Sequence, residues 1–99
     1  MGVRKVVIRQ SVSESIAAVA LFIESKGLIQ TAEKFTDEVY DFILKLAHFE
    51  RSFGTCRDPD RAFMGFKCIV YKKKYTIVFI EGSDELIICE FIPLKLIHW

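Results

Sequence analysis

Residues 65–81 read GFKCIVYKKKYTIVFIE, two runs of β-branched and aromatic residues separated by three consecutive lysines. Runs of this composition favour strands, and a polar cluster between two of them favours a turn. A third run of the same kind covers residues 86–92, after a polar turn at residues 82–84. The last third of the chain is therefore predicted to form an antiparallel meander that displays a basic turn.

The basic turn has two interpretations. Lys72, Lys73 and Lys74, framed by Tyr71 and Tyr75, could contact nucleic acid or an acidic partner, because lysines bind phosphate and tyrosine rings stack on bases. Lysines at hairpin turns and sheet edges also keep a chain soluble and prevent edge-to-edge pairing. The turn by itself leaves both interpretations open.

Composition limits the classes of function. The 99 residues suit one domain, spanning residues 1–99, and a hydrophobic content of 52% argues against disorder. A formal charge of +1 excludes a globally basic nucleic-acid-binding protein, so that any such binding needs a local patch. The candidates for that patch are Arg57, Arg61, Lys67, Lys72, Lys73 and Lys74.

Cysteine usage and hydropathy indicate a compartment. The three cysteines, Cys56, Cys68 and Cys89, are an odd number without a CxxC pair, so we expect reduced thiols, with Cys68 and Cys89 in the core. No apolar run is long enough to span a membrane, and no signal segment opens the sequence. A cytoplasmic protein without metal or cofactor is expected, since Cys56 and two histidines supply too few zinc ligands.

Upstream of the meander, the pattern changes to helical. After a short strand at residues 3–8, Ser11 and Glu14 have the spacing of a capping box and predict a helix over residues 11–26 that ends at Gly27. A second helix is predicted over residues 28–48. Its apolar stripe comprises Leu28, Ala32, Phe35, Val39, Phe42, Ile43, Leu46 and Phe49.

The predicted fold class is α+β. The single-residue break at Gly27 requires an antiparallel helical hairpin, which is expected to cover one face of a mainly antiparallel sheet. The polar segment at residues 52–61 is predicted to be a loop between the helices and the sheet. Its Arg57 and Arg61 either pair with the neighbouring aspartates or clamp a phosphate.

This arrangement resembles the RelE/ParE superfamily of toxins from prokaryotic type II toxin–antitoxin modules, which includes plasmid stabilisation proteins. The resemblance rests on the order of several short pieces along nearly the whole chain. They are TAEKFTDEVYDFI at 31–43, LAHF at 46–49, CRDP at 56–59, GFKC at 65–68, YTIVF at 75–79 and LII at 86–88.

The resemblance implies a growth-inhibiting cytoplasmic toxin that a cognate antitoxin silences. RelE-like members cut mRNA on the ribosome, whereas ParE-like members poison DNA gyrase without chemistry of their own. Thr76 stands where a RelE-like arginine is expected, and a nearby lysine cannot reproduce the two-pronged grip of arginine on phosphate. The prediction therefore leans to gyrase; the alternatives are a ribosome-dependent mRNA endonuclease, or a degenerate member that acts only as an interaction domain.

The resemblance also implies candidate site residues. Metal-free RNA cleavage needs a base for the 2′-OH, cations for the phosphate and an acid for the leaving oxygen. For a RelE-like enzyme the candidate catalytic residues are Lys67, Lys74, Lys95 and His98. The candidates for target or nucleic-acid binding are Arg57, Arg61, Tyr71, Lys72, Lys73 and Tyr75.

The antitoxin should cover an apolar surface of the toxin, because such partners fold an extended or helical peptide across it. The sheet edge and the tail at residues 91–94 are the expected places, and without antitoxin we expect a homodimer. His48 is predicted to be a surface histidine near a helix end. Glu81, Asp84, Glu85 and Glu90 are predicted to form a solvated rim.

Overall fold

The computed structural model describes residues 4–48 and 54–97. It confirms the α+β prediction and the order strand, helix, helix, three strands, with one short helix added. The elements are β1 (Lys5–Ile8), α1 (Gln10–Ser25), α2 (Ile29–Leu46), α3 (Pro59–Phe63), β2 (Lys67–Tyr71), β3 (Tyr75–Glu81) and β4 (Glu85–Pro93), followed by a 3₁₀ turn (Leu94–Leu96).

The four strands form one mixed sheet in the order β1-β4-β3-β2. The meander β2-β3-β4 is antiparallel, as predicted, and β1 adds to it parallel to β4, with Lys5 opposite Glu85. The register between β3 and β4 shifts at one point, where Phe79 faces Ile88 but Val78 faces Glu90. Cys89 is thus the extra residue of a β-bulge, which bends the central strand β4.

The helical hairpin forms as predicted, but α1 begins differently. Its N-cap is Arg9, and no side chain caps the helix, so the capping box predicted at Ser11 is wrong. The reason is that Arg9 still donates its N–H to the Ile88 carbonyl of the sheet, at 3.2 Å, and the helix starts directly after that bond. At the other end Gly27 has a φ of 82° and donates its N–H to the Glu24 carbonyl, which is the predicted helix stop.

The main core lies between the hairpin and one face of the sheet. Val12 and Ile16 of α1 and Val39, Ile43 and Leu46 of α2 are fully buried there. Their partners on the sheet are Ile77, Phe79, Leu86, Ile88 and Phe91, with Phe35, Phe42 and Ile69 packed at the margin. Both helices therefore lie on one face, and the stripe of α2 faces the core, although Leu28 is exposed and Phe49 lies outside the described residues.

The opposite face of the sheet carries a second, smaller core. Cys56, Val78 and Cys89 are buried there, against half-buried side chains that include Phe66 and Ile80. The segment at residues 54–56 runs antiparallel to the start of β2, through the Thr55–Lys67 bridge and the bond from the Cys56 N–H to the Phe66 carbonyl. This segment and α3 cover part of the face that the hairpin leaves open.

A disulfide joins Cys56 to Cys68, with the two Cα atoms 4.8 Å apart. The prediction of reduced thiols was therefore wrong for two of the three cysteines. The spacing of cysteines along the sequence does not reveal this bond, because it depends on the pairing of the 54–56 segment with β2. Cys89 remains a free, buried thiol, and burial raises its pKa.

Two further expectations are corrected. The 52–61 segment is not wholly a loop, because Asp58 caps α3 by accepting a hydrogen bond from the Arg61 N–H and Pro59 occupies the first turn. The tail at residues 91–94 is not an open apolar surface, since Phe91 belongs to β4 and is 3% exposed. Across residues 4–48 and 54–97, none of the helices is both long and apolar enough to cross a bilayer.

Candidate target-binding surface

The basic turn between β2 and β3 is tight and strained. Lys72 and Lys73 have φ values of 53° and 58°, and the Lys74 N–H donates to the Tyr71 carbonyl at 3.1 Å. Positive φ at both central residues is the signature of a type I′ turn, which glycine and asparagine normally occupy. Two lysines in this conformation cost conformational energy, and such strain is often retained where a side chain has a function.

Relief of that strain is a testable consequence. Lys73→Gly should raise the free energy of unfolding by about 0.5–1 kcal/mol, because about 1–2 kcal/mol of left-handed strain is removed and about 0.5–1 kcal/mol of extra backbone entropy opposes it. Urea unfolding measures the change. Lys74→Gly is the matched control, since Lys74 does not have a positive φ. Equal effects of the two substitutions would contradict the strained turn.

The turn is anchored from both sides. The Lys72 ammonium donates to the Glu38 carboxylate of α2 at 3.0 Å and lies 5.5 Å from the Tyr71 ring centroid. The hydrogen bond with Glu38 raises the pKa of Lys72, so this lysine is charged but already engaged. On the other side, the Leu94 N–H donates to the Lys74 carbonyl at 2.8 Å. The turn is therefore presented in one orientation.

The two tyrosines that frame the turn pack with side chains of the main core. Tyr71 is 5% exposed and packs on Phe42, with ring centroids 4.8 Å apart. Tyr75 stacks on Phe91 at 4.8 Å, and burial raises its pKa. The Tyr71 ring therefore does not present a face on which a base could stack, contrary to the role foreseen for it.

The predicted catalytic lysines do not form one cluster. Lys74 and Lys95 lie at the same end of the sheet, because the Leu94 N–H bonds to the Lys74 carbonyl. Lys67 starts β2 at the other end, opposite Phe79, and four residues of strand place it about 13 Å from Tyr71. His98 lies outside the described residues.

Thr76, which replaces the arginine of the RelE-like pattern, is a buried residue. It lies between Val70 and Ile92 in the sheet, on the face opposite the hairpin, and is 5% exposed. Val70, its neighbour on β2 and on the same face, is 54% exposed. A threonine at this position supplies no cation for a phosphate group.

The segment at residues 57–61 is self-paired at Arg61. The Arg61 guanidinium donates to both carboxylate oxygens of Glu90 at 2.7 Å and to Asp58 at 2.7 Å. The hydrogen bonds to Glu90, which are the largest cause, and to Asp58 raise the pKa of Arg61. Of the two sequence interpretations, the self-paired one describes Arg61, whereas Arg57 is exposed.

The predicted acidic rim is only partly solvated. Asp84 and Glu85 are exposed, but Glu81 binds Arg4 at 2.9 Å and Glu90 binds Arg61, both with limited exposure. The two carboxylates stabilise the sheet through ion pairs that the sequence pattern did not predict. His48 is exposed after α2, as expected. Within the described ranges, no three His, Cys, Asp or Glu side chains are grouped to hold a metal ion.

Three lysines remain available at one end of the molecule. Lys73, Lys74 and Lys95 are exposed, and none of them makes an ion pair with another described residue. Lys73 and Lys74 lie on the turn fixed by Glu38 and Leu94, and Lys95 lies in the adjacent 3₁₀ turn, in a chain whose formal charge is only +1. We call this set the basic end; it is suited to contact a phosphate group or an acidic protein surface.

Sequence reasoning missed two exposed apolar sites. Phe63, the last residue of α3, and Met64, which follows it, are 92% and 67% exposed. Leu21 and Phe22, on the outer side of α1, are 64% and 62% exposed. The apolar run at residues 16–23 was a usable signal, because it is wider than a single buried stripe requires.

Comparison with known proteins identifies the fold. No family model matches the sequence, and no curated protein matches it. Among solved structures, a chain described as "Chromosomal ParDE TA system from P. aeruginosa" superposes with a TM-score of 0.76. The match covers 92% of this chain and 96% of that chain at 11% identity. The two chains share a fold, so the resemblance to the RelE/ParE superfamily is confirmed at the level of fold.

Proposed function

We propose that this chain is the toxin component of a type II toxin–antitoxin module and that a cognate antitoxin holds it inactive. The observation that carries the proposal is the shared fold with a ParDE system protein over nearly the whole of both chains. The strained, anchored basic end adds to it, because it gives the fold an exposed contact surface for a target.

The target favoured by the geometry is DNA gyrase. Poisoning a protein needs a contact surface, which the basic end supplies, and needs no assembled catalytic group. The separation of Lys67 from Lys74, and a threonine rather than a cationic side chain at position 76, argue against the RelE-like site. Ribosome-dependent mRNA cleavage is the second candidate, favoured by the placement of Lys74 beside the segment that carries Lys95.

The experiment separates the two targets. The chain is induced in a bacterial host, and transcripts and plasmid supercoiling are followed in parallel, with purified gyrase tested in vitro. The gyrase proposal expects intact transcripts, altered supercoiling and inhibition of the purified enzyme. Codon-positioned cuts in mRNA would instead establish the endonuclease. If the host grows normally while the folded protein is present, with transcripts and supercoiling both unchanged, the toxin proposal is refuted. The chain would then be a family member that acts only as an interaction domain.

Charge removal tests the role of the basic end. Lys73→Ala with Lys74→Ala should raise the concentration for half-inhibition of gyrase about tenfold, since two exposed ion pairs contribute up to about 1 kcal/mol each. If the chain cleaves RNA, Lys74→Ala with Lys95→Ala should lower the cleavage rate at least about a hundredfold. Lys34→Ala, an exposed lysine of α2, is the control. If the variant with Lys73→Ala and Lys74→Ala inhibits gyrase as strongly as the wild type, the basic end is not the surface that contacts gyrase.

The toxin proposal includes the antitoxin and a cytoplasmic location. A small protein encoded beside this chain should bind it and restore growth, and failure of every such neighbour to do so would count against the module. Structural disulfides are rare in most cytoplasms. Alkylation of free thiols in intact cells therefore tests whether the Cys56–Cys68 bond forms in the cytoplasm, where the proposed target is found.

A further inference from the structure

The segment at residues 54–57, which we call the latch segment, packs only lightly on the rest of the molecule. Gly54, Thr55 and Arg57 are exposed, and Cys56 alone of the four is buried. Segments that bury little apolar surface and whose hydrogen bonds lie near water open at low free energy. Packing alone therefore gives the latch segment little stability.

The connections between the latch segment and β2 are two kinds of bond. The Cys56 N–H donates to the Phe66 carbonyl at 3.2 Å, and the Cys68 N–H donates to the Gly54 carbonyl at 3.3 Å. These distances are long for hydrogen bonds of this type. The disulfide between Cys56 and Cys68 joins the same two pieces of chain covalently. It is therefore the connection that keeps the latch segment on the sheet.

The latch segment covers side chains that water does not reach. Cys56 belongs to the second core together with Val78 and Cys89, which are 0% and 4% exposed. The main core lies on the other face of the sheet, and none of the residues 54–57 belongs to it. Movement of the latch segment therefore opens the second core and leaves the main core in place.

Helix α3 sets the boundary of this movement. It follows the latch segment and buries none of its own residues. Its Arg61 nevertheless binds both carboxylate oxygens of Glu90 on β4, at 2.7 Å, so that α3 has a connection to the sheet that does not depend on the disulfide. The part that can move therefore ends at Asp58, the N-cap of α3.

We propose that the Cys56–Cys68 disulfide is a redox latch, which a dithiol reductant opens. Thiol–disulfide exchange breaks the S–S bond and delivers two electrons and two protons to the two cysteines, while the dithiol becomes a disulfide. The latch segment then leaves β2, which uncovers Val78 and Cys89 and frees the Phe66 carbonyl. The reduced chain thus presents an apolar surface and a free strand edge that the oxidised chain covers. This device does not depend on the target proposed for the toxin.

The reactivity of Cys89 reports the position of the latch segment. Alkylation by iodoacetamide is compared between the oxidised wild type and Cys56→Ser with Cys68→Ser, because Cys89 is the free thiol of each. Cys89 of the variant should react at least about tenfold faster, since the segment that covers it is released. The reduced wild type should show the same increase, measured by mass spectrometry of the peptide that contains Cys89. If Cys89 of the reduced wild type reacts at the oxidised rate, the proposal is overturned.

Phe35→Ala separates local opening from a general loss of stability. Phe35 packs against the main core, so its replacement weakens the fold while the disulfide stays intact. Cys89 of this variant should react as slowly as in the oxidised wild type. Equal acceleration by Phe35→Ala and by loss of the disulfide would assign the reaction to global unfolding and refute the latch. In hydrogen exchange, amides of α1 and α2 should stay protected in the reduced protein, and loss of that protection would also refute a local opening.

Discussion

Phe79→Ala is expected to lower the free energy of unfolding by about 3–5 kcal/mol. The Phe79 side chain is fully buried in the main core, at the point where the β3–β4 register shifts beside the Cys89 bulge. Strands on both sides of β3 prevent the backbone from closing the cavity. A loss of this size is a large fraction of the 5–15 kcal/mol typical of whole domains.

Chemical denaturation of the variant gives the measurement, and Phe63→Ala is its control. Phe63 is 92% exposed, so its replacement should change the midpoint very little. Phe35 and Phe42 are only partly buried. Their replacement should cost less, about 1–3 kcal/mol. A similar cost at Phe63 and Phe79 would show that the main core is placed incorrectly.

Loss of the Cys56–Cys68 bond should destabilise the protein by about 3 kcal/mol, the loop-closure value for cysteines this close in sequence. The two cysteines are 12 positions apart, and the bond holds the 54–56 segment over the second core. The comparison is between the wild type and Cys56→Ser with Cys68→Ser, by urea unfolding. A dithiol reductant should lower the stability of the wild type to that of the variant and leave the variant unchanged.

Thiol counting provides a second readout of the same bond. Unfolded but unreduced protein should titrate one thiol, that of Cys89, since two of the three cysteines are bonded (3 − 2). In the native state iodoacetamide should react slowly with Cys89, because burial raises its pKa and restricts access. Three thiols in unreduced protein, or equal stability with and without reductant, would contradict the disulfide.

Local signals determined what could be predicted from the sequence. The stripe of α2 and the stop at Gly27 depend on helical periodicity and on one backbone conformation, both visible in neighbouring residues. Helix α3 was not predicted, but a local signal for it is present at Asp58-Pro59, because an aspartate N-cap followed by proline is typical of a helix start. The capping box at Ser11 failed because the sheet retains the Arg9 N–H and decides where α1 begins.

The tertiary contacts that were not predicted join residues distant in sequence. Arg61 meets Glu90 only because α3 lies over the second face of the sheet, and Glu38 meets Lys72 only because α2 lies beside the turn. The same applies to Lys67, which is close in sequence to the turn but separated from Lys74 by the length of β2. Charge and motif spacing cannot reveal such placements, because they are set by tertiary packing.

The parallel pairing of β1 with β4 has a consequence for synthesis. Lys5 pairs with Glu85, eighty positions later (85 − 5), so that at 5–20 residues per second β1 waits about 4–16 s for its neighbour. Both helices also leave the ribosome before the strand that covers much of their apolar side. A chain that stops before residue 85 lacks β4, which is the partner of β1 and joins it to β3. Truncated products should therefore remain unfolded and open to proteolysis, and the molecule completes its sheet only when its last strand is made.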